Sequence, residues 1–169
     1  MTRPEASAQL TDDELATWAS LATVLEWLPA ALDAQLQRDA QLTHFEFGVL
    51  YALSHAPEMS LRMSTLSTYA NSSLSRLSRA ATRLEARGWM RRTPDPSDGR
   101  FTLAVLTDAG LAKVVEATPG HQDLVRGLVL DRLTSAQRRQ LREISTQIAR
   151  GIQPGAWTPP HEREETSAT

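Results

Sequence analysis

Apolar residues recur along most of the chain at steps of three and four, the spacing of one face of a helix. Leu15, Trp18, Leu21, Leu25, Leu28, Leu32 and Leu36 form the first such stripe, directly behind Thr11-Asp12-Asp13-Glu14. That tetrapeptide matches a capping box, in which a hydroxyl and a later acidic or amide side chain satisfy each other's helix end. The pattern predicts a long amphipathic helix, kinked at Pro29, because proline lacks an N–H and its ring crowds the preceding turn. A second box, Thr43-His44-Phe45-Glu46, opens a helix of about three turns that carries Phe47, Leu50, Tyr51 and Leu53 and stops before Pro57. A third, Thr134-Ser135-Ala136-Gln137, opens a last helix with Leu141, Ile144 and Ile148 on one face.

The middle of the chain changes character. Residues 63–70 form a short helical piece, "NSS" follows as a turn and cap cluster, and residues 73–87 read as a well-patterned helix closed by Gly88. Trp89–Thr93 and Phe101–Thr107 are short β-prone runs joined by turn-forming residues, so a hairpin is expected with Asp98-Gly99 at or near its tip. Phe101, Leu103 and Val105 alternate along the second run and are expected to anchor it to the core. Thr107 caps the next helix, which Pro119-Gly120 should interrupt before its pattern resumes. The fold class is therefore mainly α with a small two-stranded β-wing.

Composition narrows the function classes. The 169 residues are 41% hydrophobic and 22% charged, with a formal net charge of −2. This describes an ordinary globular chain, a single compact unit with extensions. The absence of cysteine excludes a disulfide framework, a thiolate zinc site and thiol redox chemistry. No apolar run approaches a membrane span and the N-terminus lacks a secretory layout, so a soluble cytoplasmic protein is expected. Residues 1–9 and the Pro-rich, polar tail 151–169 are expected to be disordered. His44, His55, His121 and His161 show no metal-ligand spacing outside a His161–Glu164/Glu165 cluster in that tail. No nucleophile elbow, phosphate loop or paired buried carboxylates are evident, so neither enzyme activity nor a cofactor is expected.

Local charge reverses the global balance. Residues 73–100 hold seven arginines against three acidic residues, a net +4 in a chain of net −2, so the remainder sums to −6. On a helical wheel, Leu74, Leu77, Ala81 and Leu84 gather on one face of helix 73–87. Ser75, Arg76, Arg79 and Arg83 lie opposite, with Arg87 at the margin. Buried leucines with an outward arginine stripe give the shape of a major-groove reader, since guanidinium forks bond guanine edges or phosphates. Ser73 caps the helix, and small Ser75 and Ser78 let its backbone approach the groove. An amphipathic helix with a merely solvated arginine face would share this pattern. The decisive context is the succession of short helix, serine-rich turn, arginine-bearing helix and basic hairpin, which is a winged helix-turn-helix.

The stretch "LRMSTLSTYANSSLSRLSRAATRLEARGWMRRTPDPSDGRFTLAVLTDAG" resembles the DNA-binding lobe of the MarR (multiple antibiotic resistance regulator) family of bacterial transcription factors. "SLSRLSRAATRLEARGWMRR", "DGR" and "LTDAG", in that order and spacing, carry the resemblance, which covers roughly residues 10–150. It implies that 64–70 is the first helix of the motif and 73–87 the recognition helix. It further implies that Asp98 braces the wing, that Arg100 enters the minor groove and that Arg91 and Arg92 lie near the backbone. The domain plan that follows assigns 10–55 to N-terminal helices for dimerisation and lobe support. Residues 56–107 become the winged lobe and 108–150 the C-terminal dimerisation helices. The function implied is a homodimeric regulator, a repressor, reading a pseudo-palindromic operator on double-stranded DNA. Such proteins release DNA when a small aromatic or lipophilic effector binds between dimer base and winged lobe. By position, Trp18, His44, Phe47 and Tyr51 are the candidates to line that cleft; the alternative is that Trp18, Phe47 and Tyr51 are simply core and His44 a capping-turn residue on the surface. A winged-helix protein-interaction module and a non-specific architectural DNA binder remain as alternatives.

Overall fold

A computed structural model describes residues 9–152. The expectations for the N-terminal residues 1–8, for the tail from 153 onward and for the His161 cluster lie outside the described residues. The first helix, α1 (Asp12–Ala40), starts at the Thr11 box, where the Glu14 carboxylate accepts from the Thr11 amide at 2.7 Å. It runs through Pro29 as one element and stops at Gln41 in the left-handed conformation. Only its C-terminal third enters the chain's own core, through Leu32, Leu36 and Ala40. The second box opens α2 (His44–Ser54), whose Phe47, Val49, Leu50 and Leu53 are buried.

After a single turn of 3₁₀ helix come β1 (Ser60–Arg62), α3 (Met63–Tyr69) and α4 (Leu74–Ala86). Ser73 caps α4 by accepting from the Arg76 amide at 3.2 Å, and Gly88 beyond its end takes a φ of 72° that suits glycine. The hairpin is β2 (Met90–Asp95) and β3 (Asp98–Leu106). Its connecting residues are Pro96 and Ser97, with Asp98-Gly99 opening the second strand.

Two features of the sheet differ from expectation. It has three antiparallel strands in the order β1-β3-β2, because Ser60–Arg62 pairs along the free edge of β3. Three residues after a proline turn carry no readable period, and only the approach of β3 makes them a strand. The alternation in β3 is also offset by one residue. Ala104 and Leu106 point into the core, Leu103 and Val105 are half-buried, and Phe101 is exposed. A shift of one residue exchanges the two faces of a strand. Ala104 and Leu106 join the core with Leu50 and Leu53 of α2 and Leu66 of α3.

The chain continues as α5 (Asp108–Leu128) and α6 (Ser135–Ile152). The expected interruption at Pro119-Gly120 does not occur, and α5 passes through both residues. Packing against α1 and α2, with Val114 and Ala117 buried in the core, outweighs the one backbone hydrogen bond that proline forfeits. Gly120 lies against α1, where a Cβ would come within 3.3 Å of Gln35 Nε2. At the other end, a Cβ on Gly110 would collide with the Trp89 carbonyl, so the glycine of "LTDAG" lets α5 abut the hairpin. The core lies among the end of α1, α2, α3, α4 and the sheet, with Leu36, Leu50, Leu53, Leu66, Leu77 and Leu84 fully enclosed. α6 has no buried residue and makes no substantial packing with its own chain.

Candidate nucleic-acid interface

The arginine face of α4 is built by what its other face buries. Leu77, Ala80, Ala81 and Leu84 are all in the core, which rotates Ser75, Arg76, Arg79 and Arg83 outward. Leu74, expected within the apolar stripe, is instead 54% exposed, and Ala80 takes the fourth buried place. The first turn of α4 extends beyond the core, so the wheel alone misplaces its first residue.

The exposed arginines divide by their partners. Arg79 and Arg91 are exposed and make no hydrogen bond or ion pair among the described residues. Arg76 stacks over the Phe45 ring at 4.3 Å, and Arg83 Nε donates to Glu46 Oε1 at 2.7 Å. Burial of Glu46 opposes its charge, but hydrogen bonds from Thr43 and Arg83 outweigh this and hold its carboxyl below the ordinary range. Both contacts fix the roll of α4 against the first turn of α2.

Arg92 is a strut inside the lobe. Its guanidinium meets Glu85 at 2.6 Å, Ser78 Oγ at 3.2 Å and Thr82 Oγ1 at 3.0 Å, binding β2 to α4. At the tip, Asp98 accepts from Arg100 Nη2 at 2.6 Å and from the Arg100 amide at 3.2 Å, while the Arg100 side chain stays 85% exposed. A second brace was not read from the sequence. Asp95 accepts from the Ser97 amide at 2.8 Å, from Ser97 Oγ at 2.6 Å and from Arg62 Nε at 2.7 Å. The hydrogen bonds from Ser97 and then Arg62 bring the Asp95 carboxyl down to about 2. Arg62 also lies over the Phe101 ring at 4.3 Å, so it clamps both sides of the wing.

Between α2 and the arginine face of α4 lies an open cleft of about 1410 Å³, walled by His44, Phe45, Tyr51, His55, Arg76 and Arg83 among others. Of the four residues expected at an effector site, His44 and Tyr51 line this cleft. Phe47 is core behind them, its ring 5.7 Å from that of Tyr51. Trp18 stands apart on an exposed stretch of α1. Because α5 is continuous, it carries His121 to within 5.6 Å of the His44 ring and 4.8 Å of the Phe47 ring. Burial lowers the affinity of both imidazoles for a proton; His44 adds to the effect on His121, and Asp33 partly offsets it at His44.

The MarR family model matches residues 42–102, the span that holds α2, the helix-turn-helix and the wing up to Thr102. Among solved structures, Sco3205 from Streptomyces coelicolor, a MarR family transcriptional regulator in complex with DNA, is 43% identical, with a TM-score of 0.85. The match covers 89% of this chain and 94% of Sco3205. The chain belongs to the MarR family. AbsC, a MarR family transcriptional regulator from the same organism, is 33% identical over 86% of this chain and 98% of its own, with a TM-score of 0.82. The S. coelicolor regulator PcaV, in complex with its natural ligand, shares the fold at 22% identity and a TM-score of 0.64, over 88% of this chain and 99% of its own. No protein of curated function matches. In this MarR-family chain the winged helix is therefore a DNA-binding element of a transcriptional regulator. Sequence reasoning missed Arg62, Phe45 and Glu46, whose roles arise from pairings across 31 to 37 residues. No local period signals such partners.

Proposed function

We propose that this MarR-family regulator is a homodimeric repressor that reads a pseudo-palindromic operator and is released by a small aromatic or lipophilic effector. The observation that carries the reading is the outward stripe of α4. Arg79 stands free on it beside Ser75, while Arg76 and Arg83 are held in place by α2. In the major groove, Ser73, Ser75, Arg76 and Arg79 face base edges and flanking phosphates, and Arg83 sets the helix roll. Arg91 meets the backbone, Arg92 holds the wing to the helix, and Arg100, oriented by Asp98, enters the minor groove. In Sco3205 a protein of the same family and closely similar fold is seen on DNA.

Dimerisation rests on uncovered apolar surface. Leu15, Trp18, Leu25 and Trp27 on α1 are exposed, as are Leu141, Ile144, Ile148 and Ile152 on α6. An 18-residue window of α1 has a mean hydropathy of 1.3 with 6% of it buried. By length and apolarity alone such a helix could cross a membrane. In a DNA-binding regulator the same face is covered by a second copy, and two winged lobes then read half-sites about one helical turn apart. The acidic first turn of α1 and the arginines of α6 favour pairing of these helices across the dimer. Residues 10–55 and 108–150 thus serve the dimer base and lobe support, and 56–107 the DNA-binding lobe. Effector release follows if a ligand in the cleft, against His44 and Tyr51, prefers a dimer geometry that no longer fits the operator. PcaV supports this, as a regulator of the same fold with a bound natural ligand.

Selection of bound fragments from random duplex DNA tests the reading, with the mass of the complex measured by sedimentation. A recovered inverted repeat bound by two chains is the expected result. Absence of any preferred sequence, or binding as a monomer, would overturn it.

A further inference from the structure

The N-terminal end of the recognition helix also carries an uncovered leucine. Leu74 is the first residue of α4, is 54% exposed and is not among the hydrophobics packed on the core. Across residues 56–107 the other large exposed apolar side chain is Phe101, and its ring lies beneath the Arg62 guanidinium.

Position gives the exposed leucine a meaning. A recognition helix presents its N-terminal residues to base edges, and Leu74 stands between the cap Ser73 and Ser75 in the first turn, with Ser78 about 40° away on the wheel. Short serines on either side let a leucine reach the floor of the groove. The one apolar group there is the C5-methyl of thymine. Contact between the leucine methyls and that group removes apolar surface from water on both partners.

We infer that Leu74 reads a thymine methyl in each half-site and so specifies one T of the operator. This rests on the reading that α4 enters the major groove, and the experiment separates the two. The tightest duplex recovered from random-sequence selection is remade with each thymine replaced singly by deoxyuridine, which removes the methyl alone. Wild-type affinity is expected to fall about fourfold for replacement at one position per half-site, the factor that burying one methyl group gives. Leu74→Ala is expected to bind the all-thymine duplex weaker by a similar factor and to be indifferent to deoxyuridine at that position. Leu74→Met, which keeps an apolar tip, retains the wild-type pattern. Unchanged thermal unfolding of both variants separates readout from folding. Recovery of no preferred duplex overturns the operator reading and the inference together. A preferred duplex insensitive to every replacement, or a Leu74→Ala protein with the wild-type pattern, overturns the role of Leu74 alone.

Discussion

Arg83 of the recognition helix reaches back 2.7 Å to Glu46, a carboxylate buried at the start of α2. The third arginine of the stripe is thereby committed to the fold. Arg83→Ala leaves a buried charge with Thr43 as its remaining partner. Urea unfolding should show a loss of about 1–3 kcal/mol. A midpoint equal to wild type would mean that solvent replaces the guanidinium without cost.

Arg79 makes the opposite case, since nothing among the described residues holds it. Arg79→Ala should unfold like wild type yet lose about 1–3 kcal/mol of operator affinity and relax preference at one base position. Equal loss on every duplex, with a shallower salt dependence, would make it a phosphate contact instead.

The clamp of Asp95 by Ser97 and Arg62 sets the wing. Its carboxyl titrates at about 2, below its ordinary value, so the folded state favours the charged form. The resulting stabilisation is present above about 3.8 and disappears as pH falls towards 2. At neutral pH, Asp95→Asn should speed amide hydrogen exchange in β2 and β3 and weaken DNA binding, with the helical core melting as before. Unaltered exchange in the hairpin would show that Arg92 and Glu85 suffice to hold it.

Half-buried His44 and His121 bind protons less readily when folded, so the unfolded chain holds more protons near their ordinary value of about 6.5. Stability should therefore rise with pH through that region and fall on acidification below it. His121→Phe should flatten the dependence between pH 5 and 7, tested by denaturant titration across that range. A slope identical to wild type would place the acid sensitivity elsewhere.

The apolar face of α6 supplies a test of assembly. Ile144→Asp puts a charge in the middle of the exposed stripe, where it would have to be buried in a dimer. Sedimentation should show monomers that retain helical content and bind the operator far more weakly. A variant that remains dimeric would move the interface off this helix.

Local chemistry in the sequence was enough to place most elements. The Thr11, Thr43 and Thr134 boxes open helices where expected, because a capping box needs only residues three apart. The outward set Ser75, Arg76, Arg79 and Arg83 follows from the helical period and the greasiness of Leu77, Ala81 and Leu84. Tertiary packing decided the rest. Pro119 stays in a continuous helix because α1 lies alongside it, and β1 exists because β3 passes within hydrogen-bonding reach. The inward face of β3 is set by the core it meets, which takes Ala104 and Leu106 rather than the expected Phe101, Leu103 and Val105. Which arginines are free and which are tethered depended on Phe45, Glu46 and Glu85, and that is a property of neighbours in space. Leu74 shows the limit most plainly: its period assigned it to the core, and only the place where the core ends left it facing outward.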